Sequence, residues 1–297
     1  MTFFIDMIKG IFIGIANIIP GVSGGTLALS MGIYDKLIGA VSNFLKDWKK
    51  SVLTLFPIAI GCGVGIVGFT YAIEFLLSEH TFVTCMAFIG LILGGLPVLV
   101  KQLKTKLRQR GGSIGFSGIL CFILLFGFAV LLPMFGTEEE LMQTLTASPV
   151  LTVLMFFIGI IASATMVVPG VSGSMVLMIL GYYYGIIDAI KTFLEALKTF
   201  DLPTMFDRSL ILAPFGIGVL LGIFLIAKLI TFLFERYGVQ TYCAILGLVL
   251  SSPFAIFYNT GLFAQIGSLN ILVIASGILF AVAGGVISCF LGEREQE

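Results

Sequence analysis

The chain has 297 residues, 59% of them hydrophobic and only 11% charged, and its formal net charge is zero. A soluble domain carries about a quarter charged residues, so most of this surface is not built for water. One histidine and five cysteines, none in a ligand or CxxC pattern, exclude a zinc site and a histidine-based triad. No cofactor and no nucleic-acid partner are expected.

Ten apolar segments follow one another: 3–19, 22–45, 51–77, 81–100, 114–135, 149–168, 171–198, 209–234, 240–258 and 269–291. Several exceed the roughly 18 residues that mark a membrane-spanning helix. They predict an all-α polytopic integral membrane protein. The first segment does not read as a secretory signal, because it lacks a basic leader and Asp6 and Lys9 interrupt it. The cysteines read as small buried hydrophobes.

Between the first two segments lies IPGVSGGT (19–26), and between the sixth and seventh lies VPGVSGSM (168–175). Pro20 removes a backbone donor and disfavours helix before it, and Gly21 permits an unusual backbone angle. Ser23 is the expected N-cap of a helix beginning near Gly24 or Gly25. Pro169, Gly170 and Ser172 repeat the pattern, so each motif is a helix stop followed at once by a helix start. Non-helical backbone at membrane depth must be buried in protein or line a wet cavity. Either both flanking segments span, or they form a re-entrant hairpin. The shortness of 3–19, with Asp6 and Lys9 near its start, favours the hairpin.

The loops KDWKK (46–50) and KQLKTKLRQR (101–110) are strongly basic, and the positive-inside rule puts both in the cytoplasm. Counting crossings from there places both termini and the Glu235–Arg236 loop inside, and the TEEE loop (137–140) and the 259–268 loop outside. Lys9 joins the inside loop cations in this count.

Pro20, Gly32 and Tyr34 recur 149 residues later as Pro169, Gly181 and Tyr183. Pro57, Gly61, Gly65 and Gly90 recur 157 residues later as Pro214, Gly218, Gly222 and Gly247. The chain therefore divides into two repeats of five segments, 1–143 and 144–297. The crossing count starts one inside and the other outside, so the repeats are inverted, as in many secondary transporters whose sites lie at the midplane.

If the two tips meet from opposite sides, their free N–H groups form an anion site. Ser23, Gly24, Gly25 and Thr26, with Ser172, Gly173 and Ser174, are the candidate phosphate ligands. One helix terminus contributes only about 0.3–1 kcal/mol, up to roughly 2 when partly buried, so a cation is also needed. Lys228 is the candidate counter-charge and Glu74 a candidate proton carrier. Each would cost about 2.5–3.5 kcal/mol at the bilayer centre unless it faces protein or water, and each could instead snorkel to the interface. Asn17 could cap or line the site. Asp35 and Lys36, just after the first motif, are candidates for coupling or pocket lining, to which a merely local pair is the alternative, and Tyr182, Tyr183 and Tyr184 read as interfacial anchors.

The stretches IANIIPGVSGGTLALSMGIYDKLI and VVPGVSGSMVLMILGYYYGIIDAI, in a chain of this length and hydropathy, resemble the bacterial polyprenyl-phosphate transporter family, the undecaprenyl-phosphate translocases often called PopT. The resemblance spans nearly the whole chain. It implies a flippase in the cytoplasmic membrane that returns the lipid carrier of cell-envelope synthesis to the inner leaflet. Composition and spacing alone reach only an anion-binding transporter, to which an anion channel or small-anion permease is the alternative. A lipid phosphatase would need an activated nucleophile, for which His80 is poor material.

Overall fold

The structure, a computed structural model, describes residues 2–18, 22–110, 112–135, 145, 148–171 and 173–293. Every regular element among them is helical: α1 (Thr2–Ile18), α2 (Gly24–Ser30), α3 (Tyr34–Ser42), α4 (Trp48–Glu79), α5 (Thr81–Gly94), α6 (Leu96–Arg110), α7 (Phe116–Leu131), α8 (Pro149–Val167), α9 (Gly173–Ile179), α10 (Tyr183–Thr199), α11 (Leu202–Asn259), α12 (Leu262–Gln265) and α13 (Ile271–Glu293). Among the described residues six stretches are long and apolar enough to cross a membrane: Trp48–Phe69, Thr81–Gln109, Phe116–Phe135, Pro149–Val167, Leu202–Asn259 and Ile271–Gly292.

Several expected segments come out differently, among them 22–45, 171–198 and 81–100, each of which is divided between two helices. Segment 22–45 is two short helices, because the chain turns left-handed at Gly32 (φ 76°). The Gly32 and Ile33 amides close back on Leu29 and Ala28, both at 3.0 Å, a Schellman end that only glycine forms without strain. The loop expected at Glu235–Arg236 is instead a kink. Within the range given for α11 two helices meet at this kink, as the two expected segments 209–234 and 240–258 require, and Tyr237 leaves helical geometry there (φ −127°, ψ 37°). Straight, the 58 residues would be about 87 Å long against a hydrocarbon core of about 30 Å.

The chain forms two compact units. The larger comprises Met1–Pro133, Val168–Val171 and Ala227–Glu297; the smaller comprises Met134–Val167 and Ser172–Ile226. They cut across the 143/144 boundary, since compactness groups residues by contact and a repeat boundary by descent.

In the larger unit α1 lies against α4 on glycine. A Cβ at Gly61 would strike the Met7 carbonyl, at Gly65 that of Ile11, and at Gly10 that of Ile58. In the smaller unit α8 meets the first arm of α11 in the same way. There Gly218 touches the Phe156 carbonyl, Gly222 that of Ile160, and Gly159 that of Phe215. Each member of the second set stands 149 residues (on α8) or 157 residues (on α11) after its counterpart. Two further seams complete the larger unit, with Gly90 against Ala281 (α5 and α13) and Gly247 against Phe122 (α7 and α11). Lipid tails are as apolar as leucine, so helices in a bilayer associate through close packing of small residues. The bulk goes outward: Leu53, Val67, Phe116, Val150 and Ile271 are all at least three-quarters exposed.

The local correspondence extends past the first break. Helices α2 and α9 are both seven residues long and start 149 positions apart. Gly181 (φ 80°) ends α9 as Gly32 ends α2, with Gly181 and Tyr182 amides bonding Met178 and Leu177 at 2.9 and 3.0 Å.

Candidate functional site at the broken helix

Helix α2 is too short to span anything, about 10 Å at 1.5 Å per residue, and all of it but Gly25 is buried. Polar bonds from its neighbours hold its C-terminal end. The Ser30 hydroxyl donates to the Ile92 carbonyl of α5 (3.1 Å), and Ser288 of α13 donates to the Ser30 carbonyl (3.4 Å). The Lys9 ammonium of α1 donates to the Met31 carbonyl at 2.8 Å. An ammonium at a helix C-terminus meets the negative end of the peptide dipoles.

The N-terminal end is less satisfied. Ser23 stands where the N-cap was expected, with extended geometry (φ −102°, ψ 129°), and its carbonyl accepts from the Thr26 and Leu27 amides at 3.0 and 3.3 Å. Its hydroxyl makes no cap bond. At 6% exposure it is buried with no hydrogen-bond partner among the described residues, in a position where an unmet hydroxyl costs about 1–3 kcal/mol. The amides of Gly24 and Gly25 open the helix and have no intrahelical acceptor. Over Gly24 lies the exposed Asn17 side chain, whose Oδ1 is 2.7 Å from where a Cβ would stand.

The two proline–glycine motifs touch here, inside the larger unit. Fully buried Thr26 accepts a 2.7 Å hydrogen bond on Oγ1 from the Gly170 amide. Gly170 adopts φ 80°, and a Cβ on it would strike the Leu248 carbonyl. Pro169 and Val171 on either side are buried. A buried backbone donor needs a partner, and Thr26 supplies it from 144 residues away.

Several expected site residues fall elsewhere. Pro20, Gly21 and Ser172, and the side chains of Glu74 and Ser174, lie outside the described residues. In the smaller unit Gly173 opens α9 against Met166 and the Ala162 carbonyl. Lys228 is exposed on α11, beside the fully buried Ala227. The expected Asp35–Lys36 pair is replaced by a longer one. Lys36 bridges both carboxylate oxygens of Asp6 on α1, at 2.8 and 3.0 Å, while Asp35 faces the charge of Lys106 on α6. Adjacent residues on a helix point apart, so the true partner comes from a neighbouring element.

Lys9 is the plainest correction. Counted as a loop cation, it is in fact completely buried, and Asp6 is 4% exposed. The signal was in the sequence, since ionisable residues inside an apolar segment mark function by default. A separate open cleft of about 510 Å³ is lined by Glu79, His80, Gln265 and Ser276, among others, and by none of the motif residues.

Lys9→Met keeps the volume and the apolar contacts and removes the charge. It leaves the Met31 carbonyl without its buried donor, so it is expected to destabilise by about 1–3 kcal/mol, read as a lower thermal unfolding temperature. Lys9→Ala instead leaves a cavity and is expected to cost about 2–5 kcal/mol. Unfolding of the purified protein in detergent separates the two.

These features define a polytopic helical membrane protein with a short helix buried inside it and two polar breaks in contact. The family described as undecaprenyl phosphate translocase-like matches residues 13–266, and the chain belongs to it. A polyprenyl-phosphate transporter of Staphylococcus aureus is 32% identical over 296 residues, 99% of this chain and 97% of that one. Another from Vibrio cholerae is 29% identical over 266 residues, covering 85% and 77%. No solved structure matches.

Proposed function

We propose that this protein carries polyprenyl phosphate across the bacterial cytoplasmic membrane, from the outer leaflet to the inner, returning the carrier lipid for envelope synthesis. The observation that carries this reading is the meeting of the two PGVSG motifs, Gly170 on Thr26, beside the buried Ser23 hydroxyl, which has no hydrogen-bond partner among the described residues. The phosphate head is held by the Gly24 and Gly25 amides and the Ser23 hydroxyl, with Asn17 at the rim. Ser172, Gly173 and Ser174 follow Gly170 directly in the chain and are assigned the same task on their sequence. A seven-residue helix has a small macrodipole, so the individual donors matter more than the dipole.

In the same reading the halves 1–143 and 144–297 are inverted repeats, and α2 and α9 are re-entrant. The glycine seams that recur at 149 and 157 residues support the duplication. The brevity and burial of α2 support its being a re-entrant helix. Burying each methylene is worth about 0.8 kcal/mol, so the polyprenyl tail stays in hydrocarbon while the protein shields only the head. Rocking of one half against the other alternates access.

Reconstituted vesicles with labelled undecaprenyl phosphate test this. Ser23→Ala removes a donor but no packing, and is expected to slow translocation about tenfold while raising the unfolding temperature, since the unmet hydroxyl and its cost of about 1–3 kcal/mol are removed together. Ser172→Ala and Lys228→Ala complete the set, and Glu74→Gln asks whether a proton gradient acts through Glu74. Unchanged translocation in Ser23→Ala and Ser172→Ala together would move the site elsewhere.

A further inference from the structure

The corner between α4 and α5 and the kink in α11 have the same local geometry. His80 (φ −132°, ψ 39°) and Tyr237 (φ −127°, ψ 37°) stand 157 residues apart and share one backbone conformation. Four residues after each, a threonine hydroxyl lies against two carbonyls. Thr84 meets those of Leu76 and His80 at 3.1 and 2.9 Å, and Thr241 those of Leu233 and Tyr237 at 3.0 and 2.9 Å. The rings agree as well, Phe75 edge-on to His80 at 6.1 Å and Phe232 edge-on to Tyr237 at 6.4 Å. The helices packed beside them, α13 and α7, correspond at a spacing of 159 residues, since Gly90 faces the Ala281 carbonyl and Gly247 that of Phe122.

At the kink the Gln240 side-chain nitrogen of α11 donates to the Ser117 hydroxyl of α7 at 3.2 Å and joins the two helices. The matching positions at the corner are Val83 and Ser276. Valine has no donor and a shorter side chain, and the open cleft of about 510 Å³ lies there, lined by both residues. The cleft thus occupies the place that a donor side chain fills at the kink. Its lining accepts rather than donates. The Ser276 hydroxyl donates to the Val273 carbonyl of its own helix (2.9 Å), Ser78 to Phe75 (3.0 Å) and Thr81 to Leu77. With their protons turned back on the backbone, these oxygens offer lone pairs. Among the described residues Glu79 is the only Asp, Glu, Lys or Arg that lines the cleft. Its carboxylate carries a full charge against the half charge of the amides that open α5. A phosphate monoester, an acceptor at every ionised oxygen, does not suit this lining. A primary ammonium does, with three N–H donors. Leu272, 73% exposed, and Phe82 give the cleft an apolar wall.

We propose that this cleft binds the primary ammonium head of a membrane lipid, with the ammonium held by Glu79 and the Ser276 hydroxyl and the acyl chains along Leu272. Helix α4 has 32 residues and is about 48 Å long, more than the hydrocarbon core of about 30 Å, so its two ends lie at opposite interfaces. Lys49 and Lys50 stand at its start and Glu79 at its end. The lipid therefore comes from the leaflet opposite the basic 46–50 loop. Its site is separate in place and in chemistry from the one that holds the phosphate.

The test is lipid retention by the purified full chain at mildly alkaline pH. Phosphatidylethanolamine, phosphatidylcholine and phosphatidylglycerol are offered in equal amounts and the bound lipid is read by native mass spectrometry. Phosphatidylethanolamine should be retained about tenfold over each of the others, the worth of one hydrogen bond to a charged group. Choline has no N–H to give and glycerol no positive charge. Glu79→Gln alters an exposed side chain, and should bring the three lipids to within about twofold of one another. Val83→Gln supplies from within the donor that Gln240 supplies at the kink, and should abolish the preference without lowering the unfolding temperature. Equal retention of the three lipids by wild type, or a preference that survives Glu79→Gln, would overturn the proposal. Free ethanolamine is the arm for a soluble amine and should leave the wild-type unfolding temperature unchanged. A rise equal to the one phosphatidylethanolamine gives would make the occupant a soluble amine and overturn the lipid assignment.

Discussion

Gly170→Ala is expected to lower stability by about 2–5 kcal/mol and to abolish translocation. Two independent costs add. A non-glycine residue at φ 80° is strained by roughly 1–2 kcal/mol, and the new methyl runs into the Leu248 carbonyl, a main-chain atom that cannot rotate away. Moving Gly170 also endangers the hydrogen bond its amide gives Thr26. Gly261→Ala is the control, because Gly261 has φ 68° with nothing within 4 Å of the added Cβ. It should show the dihedral cost alone, about 1–2 kcal/mol. Thermal unfolding in detergent and vesicle translocation measure both. Equal losses in the two variants would mean that the close approach to Leu248 is unimportant.

Gly61→Val and Gly218→Val should each destabilise by about 3 kcal/mol or more. Over-packing a core that can adjust costs roughly 1–3 kcal/mol, but here each side chain would enter a carbonyl of the facing helix, Met7 or Phe156. The helix axes must separate, and every close contact along the seam weakens with them. On the same helices Gly63→Ala and Gly216→Ala meet nothing within 4 Å, and helix propensity alone should make them stabilising by about 0.5–1 kcal/mol. The opposite signs on one helix are the diagnostic result, read as shifts in unfolding temperature. A stable Gly61→Val protein would mean that α1 and α4 do not pack as described.

The candidate site was only half legible in the residues. Ser23 and Gly24 mark the start of α2 because proline, glycine and serine act on the backbone locally, and those rules need no neighbours. The fate of the Ser23 hydroxyl was not legible, since a capping residue that does not cap is decided by what surrounds it. The Asp35–Lys36 reading failed for the same reason, because charge pairing across 30 residues depends on which helix faces which. Lys9 was misplaced because distance from a segment end was taken as distance from water. The close packing of α1 on α4 through Gly10 and Gly61 carried its segment inside instead.

By itself the sequence determined the solvent, the helical class, the positions of the breaks and the spacing of the recurrent glycines. Hydropathy, missing donors and missing side chains are properties of single residues or short runs. Tertiary structure alone decided that Thr26 reaches Gly170, that Lys9 is buried under α2, and that Asp6 takes Lys36. Those contacts join residues 22 to 144 positions apart. A bilayer supplies no hydrophobic force to pair the helices, so their partners are chosen by close fit and polar satisfaction.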